Sequence, residues 1–345
     1  MLIIIEYYGN AMTNSRKLVY EAFDGVNEKI PLYIMFNNHI VEARYGDVVS
    51  VRCRISFFES FLVSGGPFRR GEMNFNSWIE KLDLNSYLWP SLSDVAYEVE
   101  DKIRKIAKTL NGKFTQATLI GPTELSEYSC APGNSRAGDM LHHRFDFAVL
   151  TVLNLKSASK IHEEFYRIVL EAAKVAAENE YIDSVRIADD FCSYKGPIYK
   201  PEFINIIIER QREIANTIKS RGKYAVLHSD GDIRLFISRL GFFNGIHPLD
   251  IVPKTCLRNA LKWIDEIRNL RRETKLTFLT GIPIELLYNN SIPIKDLEAI
   301  IDYAVKTIGF KGLILTTTHR PYPNIDLSIA EKRIRAIAKY SEKYR

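Results

Sequence analysis

One stretch of the sequence decides the fold: Tyr224-Ala-Val-Leu-His-Ser-Asp-Gly-Asp-Ile233, in which strand-forming residues pass into a polar turn. The turn leads into Arg234-Leu-Phe-Ile-Ser-Arg-Leu240, and Gly241 then ends the predicted helix. Strand, loop and helix in this order form the unit of a parallel α/β sheet or barrel. Such folds bind ligands at the carboxyl ends of their strands, so the stretch predicts a site beside its own polar turn.

His228 and Asp230 lie at that turn. They are two residues apart, so on an extended backbone both side chains point to the same side. An imidazole and a carboxylate that converge could bind a metal or transfer protons. The alternative is a histidine–aspartate hydrogen bond that only fixes the turn.

The same alternation recurs along the chain. Hydrophobic periodicity predicts strands at 30–35, 48–58 (as a pair), 87–90, 116–122, 145–153, 184–190, 243–249, 276–281 and 312–319. Helices are predicted between them, including 163–178, 201–220, 256–270, 295–308 and 328–343. Some eight strand–helix units favour a closed (β/α)8 TIM barrel over an open doubly wound sheet. We predict a single domain over residues 12–345, with residues 1–11 outside it as an N-terminal extension.

The composition is that of an ordinary globular protein, with 46% hydrophobic and 26% charged residues. No apolar run approaches the roughly 20 residues of a membrane span. The net charge of +5 is spread along the chain, without a basic block interleaved with aromatic residues. Neither a membrane nor a nucleic acid is therefore an expected partner.

The cysteines indicate the compartment. All four are widely spaced, without a CxxC pair: Cys53, Cys130, Cys192 and Cys256. This pattern fits a reducing cytoplasm and argues against a disulfide framework or a cysteine-rich zinc site. Glutamine, a thermolabile residue, occurs only at positions 116 and 211, and this scarcity favours a thermophilic source. The frequent asparagine residues, which are also thermolabile, weaken that inference.

Polar side chains gather at the predicted strand ends: Asp94, Tyr128, Asp189, Asp190, His228, Asp230, His247 and His319. In a barrel, all of these would surround one opening. A structural role explains any one of them. Because buried polar groups must each be satisfied, the whole set indicates a functional site.

Several motifs resemble the superfamily of uroporphyrinogen decarboxylase and the corrinoid-linked methyltransferases. The resemblance spans residues 12–345 and includes Ile120-Gly-Pro-Thr123, Asp189-Asp190 through Gly196-Pro197, and Leu227-His-Ser-Asp-Gly231. The last two are similar to the methyltransferase branch in particular. Together the motifs are specific for the superfamily and much less specific for one reaction.

The resemblance to the methyltransferases implies a metal site. That branch holds zinc through His-x-Cys and a further Cys after the last strand; here Asp230 and His319 stand at or near the two Cys positions. His228, Asp230 and His319 would then bind zinc, iron or manganese, with Asp189 or Asp190 orienting an imidazole or the substrate. The implied reaction moves a methyl group from a corrinoid on a partner protein, or a similar donor, to a thiol.

The decarboxylase branch offers an alternative. Its catalytic Asp, Tyr and His lie in motifs similar to those around Asp94, Tyr128 and His319. The decarboxylases carry the signature Met-Arg-Gln-Ala-Gly-Arg after the first strand, and here Met35-Phe-Asn-Asn-His-Ile40 stands in its place without either arginine. Arg69, Arg70 or Arg320 would therefore have to bind the carboxylates of a porphyrinogen. Asp94 equally fits a helix cap.

The remaining predictions concern ligands and partners. Glu124, Tyr194, His247 and Arg320 are predicted to contact a small-molecule substrate. A third alternative is a non-catalytic barrel that binds a small ligand or a corrinoid protein, supported by the loss of both the cysteine ligands and the arginines. A homodimer is compatible with the sequence, which does not define the oligomeric state.

Overall fold

Eight parallel strands form a barrel in the computed structural model, which describes residues 13–107, 112–131 and 145–345. In chain order they are β1 (Leu32–Tyr33), β2 (Val48–Arg52), β3 (Phe114–Ile120), β4 (Ser184–Ala188), β5 (Tyr224–Asp230), β6 (Gly245–Asp250), β7 (Thr277–Ile282) and β8 (Leu313–Thr317). Consecutive strands from β2 to β8 are neighbours in the sheet, and β8 pairs in turn with β1. Asp47, just before β2, donates its backbone N–H to the Leu32 carbonyl at 2.6 Å and joins the two ends of the sheet. The predicted TIM barrel is confirmed, whereas the predicted extension 1–11 lies outside the described residues.

Helices surround the strands. Their bounds are Asn14–Phe23, His39–Tyr45, Ser56–Ser64, Phe75–Lys81, Leu92–Ala107, Pro122–Cys130, Phe145–Leu153, Leu155–Glu178, Pro201–Lys219, Leu257–Arg271, Ile284–Leu287, Ile294–Ile308 and Leu327–Ser341. Two 3-10 helices cover Arg234–Leu240 and Glu342–Tyr344, and a small hairpin pairs Cys192–Ser193 with Gly196–Pro197. Within the described part of the chain, no helix has the length and apolar character that crossing a membrane requires.

The helix Leu155–Glu178 shows how the sequence builds the outer layer. Its buried residues, including Ile161, Phe165 and Ala172, recur at helical spacing. That spacing places them on one face, which packs against the helices Leu92–Ala107 and Pro201–Lys219. The opposite, charged face is left to solvent.

The segment 145–153 is a helix, and the predicted strand there is wrong. A short apolar run fits a buried strand and a buried helix equally well. Phe147 and Leu150 are fully buried, whereas Val152 is 49% exposed and Leu153 is 51% exposed. The ring of Phe147 lies 5.6 Å from that of Phe203 in the helix Pro201–Lys219, so packing on a neighbouring helix decides the conformation.

Two other strand predictions are wrong. Residues 87–90 form no regular element, because Tyr87 and Trp89 pack in an aromatic cluster with Phe68 and Phe165. Of the pair predicted at 48–58, only β2 forms, and the chain continues into the helix Ser56–Ser64. Aromatic residues favour strands by propensity, but here the rings of Tyr87 and Trp89 are partly buried against residues of neighbouring helices.

The amino-terminal helix Asn14–Phe23 closes one end of the barrel. The ring of Phe23 stacks on that of Tyr224 at 4.4 Å. Arg16 Nε and the Tyr20 hydroxyl donate to the buried carboxylate of Asp183 at 3.1 and 2.6 Å. This packing seals the amino ends of the strands, and the carboxyl ends are left to form the site.

Candidate functional site

A cavity of about 550 Å³ opens at the carboxyl ends of the strands. Its polar lining comes from around the barrel and includes Arg52, Glu124, Tyr128, Arg186, Asp190, His228, Asp230, His319 and Arg320. A second cavity of about 300 Å³ adjoins it through the shared residues Asp190, Asp230 and Tyr322. Volume and position are those of a small-molecule site.

Three ligand-bearing side chains converge in the larger cavity, and we call Asp190, His228 and Asp230 the Asp–His–Asp trio. One ligand atom from each lies within 4.8 Å of the others, and His228 Nε2 is 3.9 Å from Asp230 Oδ1. Ala188 in β4 pairs with His228 in β5, so Asp190 and Asp230 follow neighbouring strands. The backbone N–H of Asp230 donates to Asp190 Oδ1 at 2.8 Å. Two carboxylates and one imidazole fit a divalent cation such as zinc, iron or manganese.

The hydrogen bonds beneath the trio assign the tautomer of His228. His247 Nε2 lies 3.1 Å from the carbonyl oxygen of Thr317, which only accepts, so Nε2 carries the proton. Burial lowers the pKa of His247 and keeps the ring neutral, so its Nδ1 accepts from His228 Nδ1 at 2.6 Å. Burial also lowers the pKa of His228. His228 Nε2 therefore keeps a lone pair at the trio, as a metal ligand or a base requires, and His247, predicted to contact substrate, lies beneath His228 instead.

His319 does not join the trio. Its Nδ1 donates to the Arg320 carbonyl at 3.1 Å, and its ring centroid lies 6.2 Å from that of His228. Asp190 instead takes the third position of the predicted ligand set. The reason is topological, because Asp190 follows β4, the neighbour of β5, whereas His319 follows β8, three strands away from β5.

His319 should make stability depend on pH. Burial lowers its pKa from 6.5 in the unfolded chain to about 4 in the folded protein. The unfolded chain therefore takes up a proton at a higher pH than the folded protein does, so the folded protein loses stability as the pH falls through this range. In metal-free protein we expect the free energy of unfolding to decline between pH 6.5 and about 4, and His319→Gln to make that decline shallower. Urea denaturation at intervals across this range measures the effect. Parallel curves for wild type and His319→Gln would contradict it.

Two predicted catalytic acids lie outside the cavity. Asp189 is fully buried and accepts from the backbone N–H groups of Thr123 and Glu124 at 2.8 and 3.0 Å, so it caps the helix Pro122–Cys130. A Cβ at Gly121 would lie 2.3 Å from the Asp189 side chain, which explains the glycine there. Asp94 is exposed in the first turn of the helix Leu92–Ala107, where its backbone N–H donates to Ser91 Oγ and its carboxylate accepts from the Ser91 hydroxyl. The predicted cap at Asp94 is therefore wrong, because Ser91 is the residue that caps this helix.

The predicted substrate contacts divide between the two cavities. Glu124 and Tyr128 line the larger one, and the Tyr128 hydroxyl donates to Glu124 Oε2 at 3.3 Å. Tyr194 lines the smaller one and donates to Asp250 at 2.9 Å. Arg320 lines the larger cavity and not the smaller one.

Three arginines that the sequence analysis missed line the larger cavity beside Arg320: Arg52, Arg54 and Arg186. The predicted alternatives lie elsewhere, since Arg69 donates to the Ser64 carbonyl and Arg70 pairs with Asp146 at 3.2 Å. The sequence did contain a signal. Arg186 interrupts the apolar strand β4, and a charged residue in a buried strand is rare unless it has a partner.

Comparisons with known proteins find distant structural similarities and no family. No protein-family model matches the chain, and neither does any of the curated proteins compared with it. The endo-beta-1,4-mannanase from Thermotoga petrophila has a TM-score of 0.49 at 12% identity, over 94% of this chain and 79% of that chain. The B12-independent methionine synthase from Shewanella sp. W3-18-1 has a TM-score of 0.44 at 12% identity, over 74% and 67%. A D-psicose 3-epimerase has a TM-score of 0.37 at 12% identity, over 88% and 91%.

Proposed function

We propose that the chain is an enzyme of the uroporphyrinogen decarboxylase and corrinoid methyltransferase superfamily that transfers a methyl group to a thiol with the help of a divalent metal. The convergence of Asp190, His228 and Asp230 at the carboxyl end of the barrel carries the proposal. His228 and Asp230 stand at positions where the resembling methyltransferases have metal ligands. The methyl donor would be a corrinoid on a partner protein or a similar compound.

Each residue of the site then has a role. A divalent cation held by the Asp–His–Asp trio would supply the positive charge that favours the thiolate form of the acceptor. His247 keeps His228 Nε2 unprotonated, and Glu124, which lines the same cavity, is placed to accept the proton of the thiol. In such a transfer, the thiolate sulfur would form the new bond to the methyl carbon, and a corrinoid donor would keep the electron pair of its broken cobalt–carbon bond.

Metal analysis tests the ligand set. After growth with zinc, iron and manganese, wild-type protein should hold about one equivalent of metal, and His228→Ala and Asp190→Ala should hold little. His39→Ala is a matched control, because His39 lies outside the cavity at the start of the helix His39–Tyr45. Equal, near-zero metal in wild type and His228→Ala would overturn the proposal.

A turnover assay tests the reaction itself. Metal-loaded protein is mixed with methylcobalamin and a small thiol, and demethylation is followed by absorbance. Activity should be lost in His228→Ala and kept in His39→Ala. If the protein binds metal but demethylates methylcobalamin with none of the thiols, the result contradicts methyl transfer and still supports the metal site.

Uroporphyrinogen decarboxylation is the second candidate, because four arginines line the cavity and a porphyrinogen needs guanidinium partners for its carboxylates. The exposed position of Asp94 speaks against it, because Asp94 stands in the motif of the catalytic aspartate and does not line the cavity. Turnover of uroporphyrinogen by the wild-type protein would place this candidate first.

A further inference from the structure

Three arginines lie together inside the barrel, and we call Arg52, Arg186 and Arg320 the arginine layer. Arg52 in β2 pairs with Thr118 in β3, and Thr118 pairs with Arg186 in β4. Arg52 and Arg186 therefore stand at one height on strands separated by a single neighbour. Arg320 follows β8 and lines the same cavity.

No carboxylate within the described ranges forms an ion pair with any member of the layer at 4.0 Å or less. The nearby buried carboxylate of Glu42 is engaged elsewhere, since it accepts from the backbone N–H groups of Phe36 and Ser50 at 2.9 and 2.8 Å. A buried charge without a counterion is costly. The layer is therefore short of negative charge.

Two members of the layer, Arg186 and Arg320, also have unused hydrogen-bond donors. Arg186 is 1% exposed, and its two terminal nitrogens reach only the sulfur of Met35 and the hydroxyl of Thr118, each at 3.2 Å. The Nε atoms of Arg186 and Arg320 are buried without a hydrogen-bond partner among the described residues. Such donors match the oxygens of an oxyanion that enters the cavity.

We propose that the arginine layer binds the oxyanionic head group, a carboxylate or a phosphate, of a small substrate whose reacting atom lies at the Asp–His–Asp trio. This inference deepens the proposed function and rests on it for the reaction, but not for binding. Arg186 and Ala188 are two residues apart on β4, and Ala188 pairs with His228. The Cα atom of Arg186 therefore lies roughly 6–7 Å deeper along β4 than that of Ala188, the residue level with His228.

The charge distribution supports this orientation. Burial, together with the neighbouring Arg52 and Arg186, lowers the pKa of Arg320 to about 9, the direction expected where guanidinium groups repel one another. An oxyanion bound there would relieve that repulsion. The substrate would enter with its acid group first, toward the positive charge of the arginine layer.

Calorimetric titration of metal-free protein tests the inference, with inorganic phosphate and succinate as separate probes. Arg186→Gln and Arg320→Gln should each weaken binding at least about tenfold, the loss of one charge-assisted contact. Arg258→Gln is the matched control, because Arg258 is exposed on the outer helix Leu257–Arg271, and its affinity should equal that of wild type. Tighter succinate binding assigns a carboxylate, and tighter phosphate binding assigns a phosphate.

Thermal stability, measured with and without the probe, provides a second readout. Without ligand, Arg186→Gln should melt at or above the wild-type temperature, because it removes an uncompensated buried charge. The variant should lose the stabilisation that the probe gives wild type. No binding of either probe to wild type, or wild-type affinity in both arginine variants, would overturn the inference. The oxyanion titration uses metal-free protein. If the metal analysis contradicts the proposed function, the titration can therefore still support oxyanion binding, and the two proposals are tested separately.

Discussion

Replacing His247 by leucine should weaken metal binding by about 10–100-fold, although His247 offers no ligand atom to the metal. In the wild type, the Thr317 carbonyl holds the proton on His247 Nε2, and His247 Nδ1 then accepts from His228 Nδ1 at 2.6 Å. Leucine removes that acceptor. His228 can then place its proton on Nε2 and loses the lone pair that binds the cation. Calorimetric titration of metal-free protein with zinc measures the change in affinity.

His247→Asn separates the hydrogen bond from packing. Its amide oxygen takes about the position of the His247 Nδ1 atom and can accept from His228, so most of the metal affinity should return. Two results would contradict the tautomer assignment. One is wild-type affinity in His247→Leu, and the other is equal weakening in the leucine and asparagine variants, which would indicate a packing role.

Much of the fold follows from local sequence pattern. The β5 stretch is a strand that ends in a polar turn, and the strands at 184–190, 243–249, 276–281 and 312–319 all form within a few residues of the prediction. The failures share one cause. Residues 87–90 and 145–153 are short apolar or aromatic runs. Their conformation depends on the neighbouring element that they pack against, and periodicity alone does not identify that element.

The site was predictable only where it depends on one strand and its neighbour. The spacing of His228 and Asp230 places both at the end of β5, as expected. Consecutive strands usually pair, and this rule by itself favours Asp190 over His319 as the third member of the trio. The resemblance to the methyltransferases pointed to His319 instead. The arginine layer depends on the register of β2, β3 and β4, and register across three strands cannot be derived from composition or periodicity.

Replacing Asp189 by alanine should lower the free energy of unfolding by at least about 3 kcal/mol, because it orphans several buried donors at once. The carboxylate is fully buried and accepts from the Thr123 and Glu124 backbones at 2.8 and 3.0 Å. It also accepts from the Thr123 hydroxyl at 2.9 Å and the Gln211 amide at 2.5 Å. Asp189 therefore joins the helices Pro122–Cys130 and Pro201–Lys219 to β4. Urea denaturation of wild type and variant measures the loss.

Asp189→Asn is the isosteric control and should lose about 1 kcal/mol or less. Its amide oxygen can still cap the helix, and a rotated Gln211 amide can present its oxygen, which has no hydrogen-bond partner among the described residues, to the new N–H group. The pH dependence of stability shows whether the charge on Asp189 stabilises or destabilises the folded protein. Burial raises the pKa of Asp189 from 3.8 to about 7, so its contribution to stability is present at low pH and lost as the pH rises toward that value. The advantage of wild type over Asp189→Asn should shrink from pH 4 to pH 7; an advantage that grows over this range would show that the folded protein prefers the ionised carboxylate.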